Sequence, residues 1–89
     1  MDYELGKRKA LVGGASKGLG LAAAKALAAE GCAVALVSRS EENLREAAKA
    51  FEPGQNILTI AADLSTAEGV RSCIARAGAW GPVDILVNN

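Results

Sequence analysis

The sequence predicts an α/β protein, a doubly wound parallel sheet built in the order βαβαβαβ with spatial strand order 3-2-1-4. Three observations carry that prediction. Short aliphatic runs alternate with stretches of helical periodicity along the whole chain. A cluster of glycines lies between the first run and the first helical stretch. Composition agrees, with 51% apolar but only 3% aromatic residues. A core of Ala, Val, Leu and Ile suits thin helices lying on a parallel sheet.

The elements follow in order. Ala10-Leu11-Val12, starting near Arg8, reads as a buried first strand. A helix is expected over residues 19–30, with Leu19, Ala22, Ala23, Ala26 and Leu27 on its inner face and Gly31 as its end. Ala33 to Val37 reads as the second strand. Ser40 is placed to cap the next helix, with Glu41 and Glu42 in the first turn, where the helix dipole favours anions. Leu44, Ala47, Ala48 and Phe51 make its inner face, and Pro53-Gly54 stops it. Ile57 to Ala61 is the third strand and Asp63-Leu64-Ser65 a loop. Ser65 and Glu68 have capping-box spacing before a third helix, whose apolar stripe is Val70, Cys73, Ile74 and Ala77. Gly78, Gly81 and Pro82 break the chain again, and Val83 to Val87 is a fourth strand. Right-handed crossovers place the first two helices on one face and the third on the other, so the winding reverses between strands one and four. Ligands bind at the carboxyl ends of strands at such a point.

Composition excludes several function classes. At 89 residues the chain is sized for one domain. Ten basic and ten acidic residues cancel, so no charge excess points to nucleic acid or to an anionic membrane. No window approaches the ~20 apolar residues of a membrane span. Cys32 and Cys73 form no CxxC pair and there is no His, so no zinc site is expected. Both are expected as buried free thiols. The opening residues 1–8 carry no apolar signal core, and a cytoplasmic location is expected. Trp80, before Gly81-Pro82, is read as a packing residue under a loop, and Lys7, Arg8 and Lys9 as a solvated strand entrance.

The central motif is Gly14-Ala15-Ser16-Lys17-Gly18-Leu19-Gly20, with spacing G-x-x-x-G-x-G between a strand and a helix. Glycines there let the backbone turn sharply and let a pyrophosphate approach the free N–H groups of a helix N-terminus. The spacing differs from the common G-x-G-x-x-G fingerprint and from the phosphate loop of nucleotide triphosphatases. In its context the run resembles the T-G-A-S-x-G-I-G signature of the short-chain dehydrogenase/reductase family, and the sheet a Rossmann-type one. Gly13 stands where that family usually has Thr, whose hydroxyl braces the loop, which implies a less firmly braced loop. Leu19 replaces Ile at similar volume.

Three further segments match in order. Ser38-Arg39 ends strand two, where the family reads the adenosine ribose. Asp63-Leu64 resembles the family's Asp–Val/Leu pair at the adenine ring. Residues 84–89 resemble the start of its L-V-N-N-A-G motif, which supports the central sheet and the nicotinamide-side ribose; Asn89 is the residue carried over from it. The resemblance covers essentially the whole chain and implies NADP(H) as cofactor. An NAD-selective site places a carboxylate at the end of strand two. Here that position is Ser38, with Arg39 beside it and Lys17 across the loop to meet a phosphate. The expected cofactor-binding residues are thus Gly14, Ser16, Lys17, Gly18, Leu19, Gly20, Ser38, Arg39, Asp63, Leu64 and Asn89. Read alone, Asp63 would be a turn cap and the two terminal Asn simple polar residues.

Catalysis in that family uses a Tyr and a Lys one helical turn apart and an upstream Ser, all beyond the N-N-A-G motif. Tyr3 and Lys7 have the spacing, but they precede the first strand and lack a serine partner. No catalytic residue is assigned. The chain is expected to be the NADP-binding front of a longer enzyme acting on a carbonyl or alcohol, such as a 3-oxoacyl thioester or a related ketone. The resemblance also implies a dimer or tetramer. The alternatives are a nucleotide-binding module without turnover and a structural fragment. A bare fourth-strand edge is expected to invite pairing with another chain.

Overall fold

The computed structural model describes residues 8–87. The observed order is β1 (Lys9–Gly13), α1 (Gly18–Ala29), β2 (Ala33–Ser38), α2 (Glu41–Ala48), β3 (Ile57–Ala61), α3 (Ala67–Trp80) and β4 (Ile85–Val87). The sheet runs β3-β2-β1-β4 and each pairing is parallel, as expected. Register is set with Ala10 opposite both Val34 and Ile85, and Val37 opposite Ile60.

Alternation along the strands divides the core. Ala10, Val12, Val34 and Leu36 face α1 and α2, where Ala24, Ala28, Leu44 and Ala47 complete one cluster. Leu11, Ala35, Val37 and Ile60 face α3 and meet Cys73 and Ala77. The helices therefore lie on the faces expected of them. Each fully buried aliphatic side chain, such as Leu36 or Ile60, contributes about 1.5–3 kcal/mol over leaving it in water. Trp80 ends α3 against the second cluster, with the Lys9 ammonium 5.8 Å from its ring centroid, a cation–π contact. Lys9 is thus held at the strand entrance rather than freely solvated.

Four local expectations are corrected. The inner face of α1 is Gly20, Ala24 and Ala28, with Leu21 and Leu27 packed against it, and Leu19 is 80% exposed. Nearly every position of this helix is apolar, so periodicity has little contrast. Burial of Gly20, Ala24 and Ala28 marks the face that meets the core. The cap of α3 is Thr66, not Ser65: Thr66 Oγ1 accepts from the Gly69 N–H at 2.9 Å, while Ser65 turns to Asp63. α2 ends at Ala48, well before Pro53, and Phe51 packs against the core from beyond it. β4 begins at Ile85, because Asp84 ties its amide to the Lys9 carbonyl and its carboxylate to the Lys9 N–H. Val70 and Ile74 lie on the expected stripe of α3 but stay exposed, flanking with Leu86 an apolar groove of about 630 Å³. Tyr3, Lys7, Asn88 and Asn89 lie outside the described residues.

Both cysteines are buried free thiols. Burial pushes the Cys32 thiol up, helped by Glu30 and opposed by Arg8; burial also raises Cys73, against the opposing charge of Arg76. A raised thiol withholds the reactive thiolate. We expect Ellman's reagent at pH 8 to leave both thiols of the native protein largely unmodified and to titrate both once denaturant is added. Reaction of the native protein at the unfolded rate would contradict the burial.

Candidate functional site

The loops after β1, β2 and β3 meet at the carboxyl edge of the sheet and enclose a polar cleft of about 530 Å³. Its floor is the glycine loop. Gly14 and Gly18 have φ of 63° and 64°, left-handed conformations open to glycine and costly for a branched side chain. Between them Ala15 is fully buried and donates its N–H to the Val37 carbonyl at 3.1 Å. The Ser38 hydroxyl donates to Ser16 Oγ at 3.4 Å, a long bond, and accepts from the Ser40 N–H at the same distance. The loop is therefore held from the β2 side, where Gly13 offers no hydroxyl of its own.

Behind the loop, α1 begins without a side-chain cap: Lys17 occupies the cap position in extended conformation, and the first turn carries no acid. The other helices are capped by Ser40 and Thr66. Among the described residues the first-turn N–H groups of α1 thus have no side-chain acceptor, the arrangement that binds anions.

The far wall is a compact turn after β3. Asp63 Oδ1 accepts from the Ser65 hydroxyl at 2.6 Å and from its N–H at 2.9 Å. The Asp63 carbonyl accepts from Thr66 Oγ1 at 3.0 Å. The Ser65 hydroxyl and amide hold the Asp63 carboxyl below its ordinary range, with the positive charge of Arg39 assisting. A depressed folded-state value stabilises the turn above the ordinary Asp range, and that contribution is lost as pH falls through the lowered value. α3 lies hard against this turn, since a Cβ added at Gly69 would run into the Asp63 carbonyl.

The structure brings most of the sequence-selected residues together. Gly14, Ser16 and Lys17 line the cleft from the glycine loop, Ser38 and Arg39 from the end of β2, and Asp63 and Leu64 from the turn after β3. Gly18, Leu19 and Gly20 do not line it; they form the first turn of α1, where Gly20 is buried. Asn89 lies outside the described residues. Asp63 also caps its own turn, so the reading of it as a turn residue holds for its Oδ1. Sequence reasoning did not select Ser40, Asn43 and Ser65, which also line the cleft. Ser40 was accounted for as a helix cap, which it is. Asn43 is recognisable only once the entry angle of α2 is known. Among the described residues no cluster fit to hold a metal ion is found, and no helix is long and apolar enough to cross a membrane.

Comparison with known proteins gives consistent findings. Residues 8–89 match the family model described as short chain dehydrogenase. L-xylulose reductase of Bos taurus is 42% identical over 89 residues, which is 100% of this chain and 34% of that protein. The L-sorbose reductase of Gluconobacter frateurii, solved in complex with NADPH and L-sorbose, superposes with a TM-score of 0.86 at 39% identity, over 92% of this chain and 32% of its own. An actinorhodin polyketide ketoreductase solved with NADPH gives a TM-score of 0.85 at 37% identity, over 92% of this chain and 32% of that one. The chain thus spans about a third of the length of the relatives it matches.

Two glycines of α3 test the packing of the site. Gly69→Ala should destabilise the protein by about 1–3 kcal/mol, since overpacking displaces the Asp63 turn or the helix. Gly78→Ala, where a Cβ would meet nothing within 4 Å, should be neutral or stabilise by up to about 1 kcal/mol through helix propensity. Denaturant midpoints compare the two; equal effects would mean that α3 does not press on the turn.

Proposed function

The chain belongs to the short-chain dehydrogenase family, and from that premise we propose that it is the NADP(H)-binding portion of an oxidoreductase moving a hydride between NADPH and a carbonyl or alcohol. Residues 1–89 are read as the N-terminal, nucleotide-holding part of the domain. The observation that carries the cofactor choice is the β2 end of the cleft. Ser38 stands where an NAD-type site has a carboxylate, and Lys17 and Arg39 line the cleft from opposite loops. Among the described residues neither cation is held in an ion pair, which leaves both charges for a ligand.

The residues present fit the dinucleotide. Gly14 and the uncapped turn at Gly18 suit the pyrophosphate, where backbone must approach closely and N–H groups must be unclaimed. Arg39 offers a planar fork and Lys17 a point charge to a phosphate on the adenosine ribose. Asp63 and Leu64 form the wall for the adenine, with Asp63 braced by Ser65. When bound, the nicotinamide supplies or accepts the hydride. The acid/base residues of the reaction are not assigned to this chain.

Relatives named for L-xylulose, L-sorbose and a polyketide support a ketone substrate. A 3-oxoacyl thioester is one member of that class.

Arg39→Ala tests the assignment. Removing one charge-assisted contact should weaken NADPH binding about tenfold or more and leave NADH nearly unchanged. Calorimetric titration with both cofactors reads the difference. Equal losses would place Arg39 against the adenine rather than the phosphate, and a protein preferring NADH from the start would overturn the proposal.

A further inference from the structure

Asn43 occupies the third position of α2, one turn in from its cap. In a reciprocal capping box the side chain at that position returns to the N–H of the cap residue. Only half of the box forms here. Ser40 Oγ accepts from the Asn43 N–H at 3.1 Å, but the Ser40 N–H is directed to Ser38 Oγ at 3.4 Å. The Asn43 carboxamide makes no hydrogen bond among the described residues, and Asn43 is one of the residues lining the same cleft as Ser38, Arg39 and Lys17.

Charge around it is arranged unevenly. Glu41 and Glu42 occupy the first turn, where the dipole favours acids, yet neither lines the cleft, and Glu41 borders a separate groove beside β3. Position 43 would also be stabilised by a carboxylate on helix grounds alone. It carries instead the neutral isostere, which presents two N–H donors without repelling an anion. Helix stability and an anionic ligand make opposite demands at this position, and the residue present meets the second.

Building on the NADP(H) reading, we propose that Asn43 is a specificity-determining residue, whose carboxamide donates to the phosphate on the adenosine ribose from the α2 side of the cleft. It completes a three-sided cradle with Lys17 from the glycine loop and Arg39 from the end of β2.

Asn43→Asp separates this role from a structural one, because the two predict opposite signs. The substitution keeps shape, removes the donor and adds a negative charge beside the phosphate. In the purified protein NADPH affinity should fall about tenfold and NADH affinity by less than about twofold, measured by calorimetric titration at low salt. The thermal midpoint without cofactor should stay level or rise, since an acid in the first turn favours the helix. Asn43→Ala, which removes the donor without adding charge, should weaken NADPH alone, by about threefold. Equal losses for both cofactors, or no loss with either variant, would overturn the proposal. Arg39→Ala measured alongside keeps the two readings apart. A selective NADPH loss there, with none in the Asn43 variants, removes Asn43 from the cradle and leaves the NADP(H) site standing. No change of preference in any of them removes both.

Discussion

β1 lies between β2 and β4, and the chain changes side of the sheet there. α1 and α2 cover one face and α3 the other, so the connections after β1, β2 and β3 leave the same edge and diverge. Parallel pairing demands this. Each strand must return by a right-handed crossover, and two crossovers winding in opposite directions open a crevice between them. The cleft is thus a consequence of topology before any side chain is chosen. The backbone tie from Ala15 to Val37 then holds the glycine loop against the end of β2, and the uncapped start of α1 sits behind it.

Electrostatics divides the cleft into unlike ends. Lys17 and Arg39 line it without ion pairs among the described residues, while the acids nearest in sequence, Glu41 and Glu42, are not part of its lining. The one carboxylate on its wall among the described residues, Asp63, is engaged through Oδ1 by Ser65, which lowers its proton affinity. A carboxylate committed to its own turn shapes the wall and competes less for the cations opposite. The hydrogen-bonded knot of Asp63, Ser65, Thr66 and Gly69 also couples the wall to α3, since the helix can lie so close only where a glycine faces the Asp63 carbonyl.

The apolar groove beside β4 has a different character. Leu86 is 69% exposed and Ile74 65% exposed, although both lie on faces that the strand and helix periodicities direct inward. The groove shares Gly13 and Leu64 with the polar cleft, so the two depressions adjoin across the carboxyl edge of β1.

The order of elements, the parallel sheet and the strand sequence 3-2-1-4 were legible in the chain itself, because aliphatic runs, glycine breaks and the caps at Ser40 and Gly31 are local signals. So were most cleft residues, since the ends of successive strands converge in any sheet of this winding. What the sequence left open depends on contacts between elements. The face of α1 was misread because Leu19, Ala22 and Ala26 are as apolar as the residues that are buried, and only the packing of Ala24 and Ala28 into the core distinguishes them. The cap of α3 fell to Thr66 because Ser65 had a nearer partner in Asp63. Asn43 lines the cleft with its carboxamide unbonded among the described residues, because the Ser40 N–H turned to Ser38. Local spacing determined which segments become helix or strand; which residues line the cleft was decided by the angles at which those segments meet, and no residue encodes those angles alone.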